Sequence, residues 1–329
     1  MSRLSILGAG SWGTALAIAL SPRFESVQIW TRNAGRAAEI DSRRENARYL
    51  PGFRLAENIT VSSEIAQVAA SADFLLAVVP SEHLRQVLES ARPFLPAHAH
   101  VVSATKGIEQ QRLCRMSSLA SEALDRTPIA VLSGPTFAKE IAAGEPAAVV
   151  IACQESRIAE HIQHAFSTNT LRFYTSTDVI GVELGAALKN VIAIGAGICH
   201  GLGLGSNSIA ALVTRGLAEI TRLAVHLGAE PRTLSGLAGL GDLVLTTTGN
   251  LSRNRYVGTE LGQGRPLQEI LAGMTMIAEG VSTCRAAHQL ALRHSIEMPI
   301  VHKMYEILYE SKDPRRALRE LMDRPLTSE

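Results

Sequence analysis

Two lysines lie where the chain could donate a proton to a bound molecule. Lys106 follows the apolar residues 101–104 and precedes Gly107, whereas Lys189 lies within the apolar residues 182–192. The chain has only 5 lysines beside 27 arginines, and arginine, unlike lysine, keeps its proton in proteins. Burial and a neighbouring cation lower the pKa of a lysine, which suits a proton donor to a developing alkoxide. The other interpretation of Lys189 is a surface lysine on an amphipathic helix.

A glycine-rich motif directly follows the first apolar segment. Residues 4–7 lead into Gly8, Gly10 and Gly13, after which a helical pattern begins. In strand–loop–helix units such glycines permit a tight turn, the close approach of a pyrophosphate, and close packing of helix against strand. The NH groups at the helix N-terminus then bind the phosphates. The order of these elements predicts a dinucleotide site, with an ordinary structural glycine turn as the alternative.

The end of the second predicted strand, residues 27–30, indicates which dinucleotide binds. NAD-preferring sites usually carry Asp or Glu there, which accepts a hydrogen bond from the ribose 2′-hydroxyl. This chain has Arg32 and Asn33 instead, and an arginine pairs with a phosphate through two parallel hydrogen bonds. The sequence therefore predicts NADPH as the preferred cofactor, with NADH as a second cofactor, unless Arg32 is only a solvated surface residue.

Other glycine-bearing segments place polar groups beside these sites. Residues 133–136 follow a predicted strand and open a predicted helix, which indicates either a second anion site or a simple helix N-cap. Asp242 follows Gly241, and Arg253 and Asn254 follow shortly after; all are predicted to lie on glycine-rich loops between helices. There Asp242 would orient Lys189 by a hydrogen bond, and Arg253 with Asn254 would hold a phosphate.

Apolar segments and helical patterns alternate over the first 150 residues, which is typical of a parallel sheet covered on both faces. The predicted strands are residues 4–7, 27–30, 74–79, 101–104, 129–132, 147–152 and 171–174. The predicted helices between them are residues 13–20, 81–91, 113–124 and 136–143. Later segments have helical periodicity only: residues 183–199, 209–227, 266–271, 281–294 and 299–308. The sequence thus predicts an α/β Rossmann-type N-terminal domain with a parallel-rich sheet (residues 1–180), followed by an all-α C-terminal domain (residues 181–329).

The composition restricts the partners of the chain. With 329 residues and a net charge of +1, it lacks the cationic excess that nucleic-acid binding requires. The longest strongly apolar segment, residues 191–199, is too short to span a bilayer. The 4 cysteines have no metal-binding spacing, so we expect free thiols, no metal and a cytoplasmic location. Apolar helices in the second domain make a homodimer a further expectation. The remaining lysines have charged neighbours and are predicted to be solvated: Lys139, Lys303 and Lys312.

These motifs, in this order, resemble those of the bacterial-type glycerol-3-phosphate dehydrogenases [NAD(P)+] along the whole chain. The similarity rests on the glycine motif and on five further segments: residues 104–107, 133–138, 188–190, 241–243 and 252–254. It implies reversible reduction of dihydroxyacetone phosphate to sn-glycerol 3-phosphate, a reaction that supplies the glycerol phosphate of phospholipids. A cationic lysine in such a site both stabilises charge on the ketone oxygen and delivers the proton.

The resemblance also implies roles for individual residues. Lys189 is the expected acid/base, with Lys106 and Asp242 as its catalytic neighbours. The residues expected at the cofactor are Gly8, Gly10, Ser11, Trp12, Gly13, Arg32, Asn33, Lys106, Ala138, Arg253, Ile277 and Glu279. The residues expected at the substrate are Lys106, Gly134, Thr136, Lys189, Asp242, Ser252, Arg253 and Asn254. Asn33 departs from the family pattern, in which many members carry a second basic residue.

Four other functions are less consistent with the sequence. Dehydrogenases of the 6-phosphogluconate and 3-hydroxyacid type pair a helical lysine with an asparagine one turn later, but here Ala193 follows Lys189 by four residues and Asn190 is adjacent. A non-catalytic NADPH-binding regulator would need no proton donor, so the presence of Lys189 disfavours this alternative. Metal-dependent hydrolysis is disfavoured because His161 and His164 lack further ligands in sequence, and no GxSxG motif indicates a serine nucleophile.

Overall fold

A computed structural model describes residues 2–126, 128–274 and 276–326. The outermost residues of the two predicted domains, Met1 and residues 327–329, lie outside these ranges. One sheet dominates the N-terminal half, and its strands are β1 Arg3–Leu7, β2 Ser26–Trp30, β3 Ile59–Ser62, β4 Phe74–Ala77, β5 His100–Ser103, β6 Ala130–Ser133, β7 Ala147–Ala152 and β8 Leu171–Ser176. All seven predicted strands are present, with ends that differ by one or two residues.

The strands form one twisted layer in the order β3-β2-β1-β4-β5-β6-β7-β8. Neighbouring strands are parallel except for β6 and β7, which pair antiparallel. Along β1, Leu4 and Ile6 pack into a different apolar cluster from Leu7, because successive side chains point to opposite faces of a strand. The predicted parallel-rich sheet with both faces covered is therefore confirmed.

The sequence prediction missed the edge strand β3. In Ile59–Ser62, buried residues alternate with residues that are exposed or half-buried, and the segment pairs only with β2. Four residues with one apolar face carry a weak periodic signal, and a polar outer face is usual for an edge strand.

Helices cover both faces of the sheet. They are α1 Ser11–Leu20, α2 Ala34–Arg43, α3 Ile65–Ala70, α4 Leu84–Ala91, α5 Met116–Leu124, α6 Ala138–Ala142 and α7 Ser156–Phe166. The sequence prediction had not assigned α2 or α3. The predicted helix at residues 136–143 is also shorter than expected, since α6 begins two residues later, after Phe137 as its N-cap.

The C-terminal half is helical in all its described elements. These are α8 Val179–Gly201, α9 Ser206–His226, α10 Pro231–Leu234, α11 Asp242–Thr248, α12 Arg253–Gly262, α13 Leu267–Ala272, α14 Glu279–Arg293, α15 Pro299–Tyr309 and α16 Pro314–Met322. A π-helical turn, Leu237–Gly241, directly precedes α11. The loops predicted around residues 241–255 are therefore wrong, because most of these residues belong to α11 and α12.

Helix α8 is the centre of this half. Its 23 residues have the length and apolar composition of a membrane span, but 94% of its most apolar part is buried inside the protein. The expectation that no apolar segment reaches such a length is therefore wrong. The burial identifies α8 as a core helix around which the other helices pack.

Glycines let α12 cross α8 at very short range. A Cβ on Gly258 would lie 1.9 Å from the Ile194 carbonyl oxygen, and one on Gly197 would lie 2.0 Å from the Arg255 carbonyl oxygen. Contacts this close require the absence of a side chain at both positions. The crossing places the start of α12 beside the middle of α8, where Lys189 lies.

Candidate active site

The glycine motif forms a tight loop between β1 and α1. Cβ atoms on Gly8 and Gly13 would lie 2.4 Å from the Val78 carbonyl oxygen and 2.0 Å from the Gly8 carbonyl oxygen, respectively. A Cβ on Gly10 would meet no atom within 4 Å, so this glycine faces open space. The buried Trp12 Nε1 has no hydrogen-bond partner within the described residues. The loop therefore fits a pyrophosphate that approaches the backbone at Gly10 and the N-terminus of α1.

One cavity of about 830 Å³ collects most of the predicted site residues from both halves of the chain. Fourteen of them line it: Gly8, Gly10, Ser11, Trp12, Arg32, Lys106, Thr136, Ala138, Lys189, Ser252, Arg253, Asn254, Ile277 and Glu279. The other four predicted residues are not among its lining residues: Gly13, Asn33, Gly134 and Asp242. A volume of this size is typical of a site for a cofactor or a drug-sized ligand.

We call Lys106, Asp242 and Lys189 the active-site cluster: Lys106 and Lys189 line this cavity, and the buried Asp242 contacts both of them. Asp242 accepts a hydrogen bond of 2.9 Å from Lys106 Nζ through Oδ2 and forms an ion pair with Lys189 through Oδ1. Asp242 is fully buried, Lys189 is 4% exposed and the Lys106 side chain is 18% exposed. The expected contact between Asp242 and Lys189 is confirmed, and one carboxylate is shared between two ammonium groups.

The protonation of Lys189 depends on this environment. Its pKa is lowered from the ordinary value to about 7, chiefly by burial; Asp242 opposes this shift, and the neighbouring Lys106 cation adds to it. Burial disfavours the charged form of a lysine because the low-dielectric interior replaces water. Near neutral pH, Lys189 can therefore both give and take a proton.

Three different elements position the active-site cluster. Lys106 follows β5 at the carboxyl end of the sheet, where the Thr105 hydroxyl donates a hydrogen bond of 2.9 Å to the Val79 carbonyl oxygen after β4. Lys189 projects from the middle of α8, and Asp242 is the first residue of α11. The carboxyl ends of parallel strands are the usual ligand-binding edge of such a sheet.

Sequence reasoning missed Thr246, which also lines the cavity. Its hydroxyl accepts a hydrogen bond of 3.0 Å from Lys189 Nζ and donates one of 2.6 Å to the Asp242 carbonyl oxygen. The only sequence signal was the spacing of four residues between Asp242 and Thr246, which places both on one face of a helix. The signal was lost because this segment had been assigned to a loop.

Another wall of the cavity comes from the first turn of α12. Ser252 caps this helix, since its Oγ accepts a hydrogen bond of 3.2 Å from the Arg255 backbone N. Arg253 Nη1 donates a hydrogen bond of 2.9 Å to the Ile277 carbonyl oxygen, which leaves its other guanidinium N–H groups available to a ligand. Because free backbone N–H groups and the helix dipole favour anions at a helix N-terminus, and Arg253 adds a cation, this wall fits a phosphate.

Asn254 links α12 to two other helices. Its Nδ2 donates to Asn190 Oδ1 on α8 at 3.0 Å, and its Oδ1 accepts from the backbone N of Gly280 on α14 at 2.9 Å. The Asn254 side chain therefore connects α12 to α8 and α14, and it retains one free amide N–H for a ligand. Beside it, burial raises the pKa of Glu279 to about 7, while the Arg253 cation opposes that shift.

The 2′-phosphate end of the predicted cofactor site lies after β2. Arg32 is exposed and lines the cavity. The Asn33 side chain instead caps α2, because its Oδ1 accepts a hydrogen bond of 2.8 Å from the Arg36 backbone N. Arg36 and Tyr49, which the sequence prediction had not singled out, line the same end of the cavity.

Gly134 and Thr136 follow β6. Gly134 is buried with a φ of +148°, and its Cβ would lie 3.0 Å from Val149 Cα, so it shapes the turn. Thr136 lines the cavity, and its hydroxyl donates a hydrogen bond of 3.2 Å to the Gly134 carbonyl oxygen. The predicted helix N-cap at residues 133–136 is wrong, because α6 begins later.

The other lysines differ from the prediction in two cases out of three. Lys139 is exposed, as expected. Lys303 and Lys312 are only 16% and 17% exposed, and both lie within 3 Å of carboxylate oxygens of Glu306 and Glu320. We call these four residues the α15–α16 cluster. Charged neighbours in the sequence predicted that Lys303 and Lys312 are solvated, whereas in the structure nearby carboxylates are the ion-pair partners of these lysines.

The chain was compared with known proteins. Models of the N-terminus and the C-terminus of NAD-dependent glycerol-3-phosphate dehydrogenase match residues 3–159 and 178–319. The chain belongs to the NAD-dependent glycerol-3-phosphate dehydrogenase family. The resemblance inferred from the sequence motifs is thus confirmed, and with it an oxidoreductase that uses NAD(P).

Full-length relatives support the same family. The chain is 49% identical to glycerol-3-phosphate dehydrogenase [NAD(P)+] of Geobacter sp. (strain M21), covering 99% of this chain and 98% of that protein. It is 50% identical to the protein of the same name from Koribacter versatilis, covering 100% and 99%. The crystal structure of glycerol-3-phosphate dehydrogenase from Coxiella burnetii superposes with a TM-score of 0.94 at 38% identity, covering 98% of this chain and 99% of that one.

Proposed function

We propose that the chain reduces dihydroxyacetone phosphate to sn-glycerol 3-phosphate with NADPH, and that Lys189 supplies the proton. The observation that carries this proposal is the active-site cluster, two members of which, Lys106 and Lys189, line a cavity that also contains the glycine loop. A bound nicotinamide would supply the hydride. The protein must then stabilise negative charge on the ketone oxygen and protonate it.

Lys189 suits this task because its pKa of about 7 lies near neutral pH, where a general acid is most effective. Asp242 holds its ammonium group, and Thr246 fixes the direction of the side chain by a hydrogen bond. With both lysines protonated, the active-site cluster carries two positive charges and one negative charge. Transfer of one proton to the substrate neutralises this excess, so the chain stabilises an anionic oxygen before the proton moves.

The substrate phosphate would bind to the first turn of α12 and to Thr136. Arg253 offers free guanidinium N–H groups, and Asn254 offers one amide N–H. Ser252 and Gly134 contribute indirectly, because Ser252 caps α12 and Gly134 shapes the turn after β6. Anchoring the phosphate at this wall would place the carbonyl group between Lys189 and the cofactor. Contacts with the phosphate would thereby orient the reacting carbonyl group.

The preference for NADPH rests on Arg32 and on the lack of an acid at the end of β2. Arg32→Asp should lower the NADPH-to-NADH ratio of kcat/KM at least about tenfold, because a charge-assisted hydrogen bond is lost and repulsion replaces it. Steady-state rates with both cofactors measure the ratio. Arg48→Asp, an equal charge change at an exposed residue outside the cavity, is the control. An unchanged ratio in Arg32→Asp would show that Arg32 does not bind the 2′-phosphate.

The cellular setting belongs to the same proposal. The product would supply the glycerol phosphate of phospholipids, and the cytoplasm remains the location expected from the sequence. The change from strands to helices between β8 and α8 supports a division into domains near residue 180. A homodimer remains a prediction, to be measured by light scattering.

The direct test follows NADPH absorbance with dihydroxyacetone phosphate and, in parallel, with unphosphorylated dihydroxyacetone. We expect rapid oxidation with the phosphorylated ketone and much slower oxidation without the phosphate, because the phosphate anchors the carbonyl group. Absence of oxidation with the phosphorylated ketone would contradict the proposed function. Equal rates with both ketones would contradict the phosphate site at α12.

A further inference from the structure

Arg36 lies at the cofactor end of the cavity and has no role in the function proposed so far. It is the third residue of α2, whose N-cap Asn33 accepts a hydrogen bond from the Arg36 backbone N. Strand β2, which precedes α2, ends beside the glycine loop, since the Gly8 backbone N donates a hydrogen bond of 3.0 Å to the Trp30 carbonyl oxygen. The Arg36 side chain lines the same cavity as Arg32.

The charge of Arg36 is not used to stabilise α2. A cation in the first turn of a helix is disfavoured by the helix dipole, and the first turn of α2 contains no acidic residue. The two carboxylates of α2, Glu39 and Asp41, form ion pairs with Arg43 and Arg44 instead. Within the described residues, the guanidinium of Arg36 therefore faces the cavity without a counter-ion.

Tyr49 holds the Arg36 side chain in place. Arg36 Nη1 donates a hydrogen bond of 3.2 Å to the Tyr49 hydroxyl oxygen, and its guanidinium carbon lies 5.3 Å from the centre of the Tyr49 ring. The Tyr49 carbonyl oxygen in turn accepts a hydrogen bond of 2.7 Å from Ser11 Oγ, and Asn46 Nδ2 donates one of 2.9 Å to the Ala9 carbonyl oxygen. The segment that carries Tyr49 is thus bound to the glycine loop itself.

We infer that Arg36 is a second specificity-determining residue, which binds the ribose 2′-phosphate together with Arg32, and that Tyr49 is its positioning residue. The inference rests on the proposed use of NADPH. A phosphate monoester carries close to two negative charges near neutral pH, and it would offset both the unpaired guanidinium and the unfavourable helix-dipole term. The planar guanidinium also matches phosphate oxygens geometrically.

The test measures binding of adenosine 2′,5′-bisphosphate and of ADP, by calorimetry and by quenching of tryptophan fluorescence. These ligands differ in having the second phosphate on the ribose 2′-oxygen rather than in a diphosphate. Arg36→Gln should weaken adenosine 2′,5′-bisphosphate about tenfold and leave ADP unchanged; Tyr49→Phe should weaken it about threefold. Arg48→Gln removes an equal charge beside the same ring but outside the cavity, and it should change neither affinity.

Unfolding temperatures separate this role from a structural one. Arg36→Gln should change the unfolding temperature of the free protein little, because removal of a cation that the helix dipole disfavours offsets the loss of the contacts with Tyr49. Equal loss of both ligands, no loss in Arg36→Gln, or the same loss in Arg48→Gln would overturn the inference. A wild-type protein that fails to oxidise NADPH with dihydroxyacetone phosphate would instead overturn the proposed reaction, and the binding comparison would still test Arg36.

Discussion

The active-site cluster and the α15–α16 cluster each contain two lysines, yet they differ in charge balance and in the exposure of their carboxylates to water. The active-site cluster has one fully buried carboxylate between two ammonium groups. The α15–α16 cluster has two carboxylates for its two ammonium groups, and one of those carboxylates, Glu320, is 31% exposed. The first arrangement leaves an excess positive charge inside the protein, whereas the charges of the four residues in the second sum to zero, with the exposed Arg316 as a further partner of Glu320.

The difference sets the protonation of the lysines in opposite directions. Burial lowers the pKa of Lys189 to about 7, whereas hydrogen bonds to Glu306 and Glu320 raise the pKa of Lys303 above its ordinary value. A lysine with ample carboxylate partners keeps its proton at every physiological pH and can only stabilise structure. A lysine with a shared carboxylate and little water can exchange its proton, which is what a reductase requires.

Replacing one lysine in each cluster should give the largest contrast. Lys189→Met should lower kcat for ketone reduction about a hundredfold to ten-thousandfold, because the general acid is lost, while NADPH affinity changes little. The matched variant Lys303→Met should leave kcat within about twofold, because Lys303 lies outside the cavity. Steady-state kinetics and fluorescence titration measure both quantities. Similar kcat losses in the two variants would remove the functional distinction between the clusters.

Removing the shared carboxylate should move the pH profile. Reduction needs protonated Lys189, so wild-type kcat should fall as pH rises through about 7. Asp242 raises the pKa of Lys189, so in Asp242→Asn the falling limb should move to lower pH, with kcat at pH 7 reduced about tenfold or more. Rates of the single-turnover step over a pH series measure the shift. A limb that stays in place would show that another group limits the rate.

Lys106→Met should move the same limb in the opposite direction. The Lys106 cation lowers the pKa of Lys189, so its removal should carry the fall in kcat to higher pH. The KM for substrate should rise as well, since Lys106 is proposed to touch both ligands. Opposite shifts in Lys106→Met and Asp242→Asn would establish that charge balance sets the pKa. Shifts in the same direction would indicate altered burial instead.

The smallest effect should come from the α15–α16 cluster. Hydrogen bonds to Lys303 and Lys312 lower the pKa of Glu320 to about 2, below its ordinary value of 4.5. A lowered pKa contributes stability that is present above pH 4.5 and is lost as pH falls toward 2. Glu320→Gln should therefore lower the unfolding temperature slightly at pH 7, with a smaller deficit at pH 3, and leave kcat unchanged. An equal deficit at both values would show that the carboxylate charge is not responsible.

Much of the N-terminal half was predictable because its signals are local. Apolar strands such as β1 and β4, the three glycines and the helix that follows them lie within short stretches of sequence, and each has a direct steric reason. The segment from Gly241 to Arg255 was harder to predict. Its glycines indicated loops, but packing against α8 makes α11 and α12 helical, since tertiary contacts override weak local preference.

The family of this protein, its parallel sheet and its glycine loop were predictable from the sequence alone, because local residue patterns encode them, and the same patterns singled out Lys189 as a candidate. The tertiary structure decided which groups meet. Lys106 and Asp242 lie 136 residues apart, and neither sequence neighbourhood specifies the other. The partners of Lys303, of Asn254 and of Arg36 were decided in the same way. A pKa depends on distance, burial and charge in three dimensions, so only the folded chain distinguishes a lysine that exchanges its proton from one that retains it.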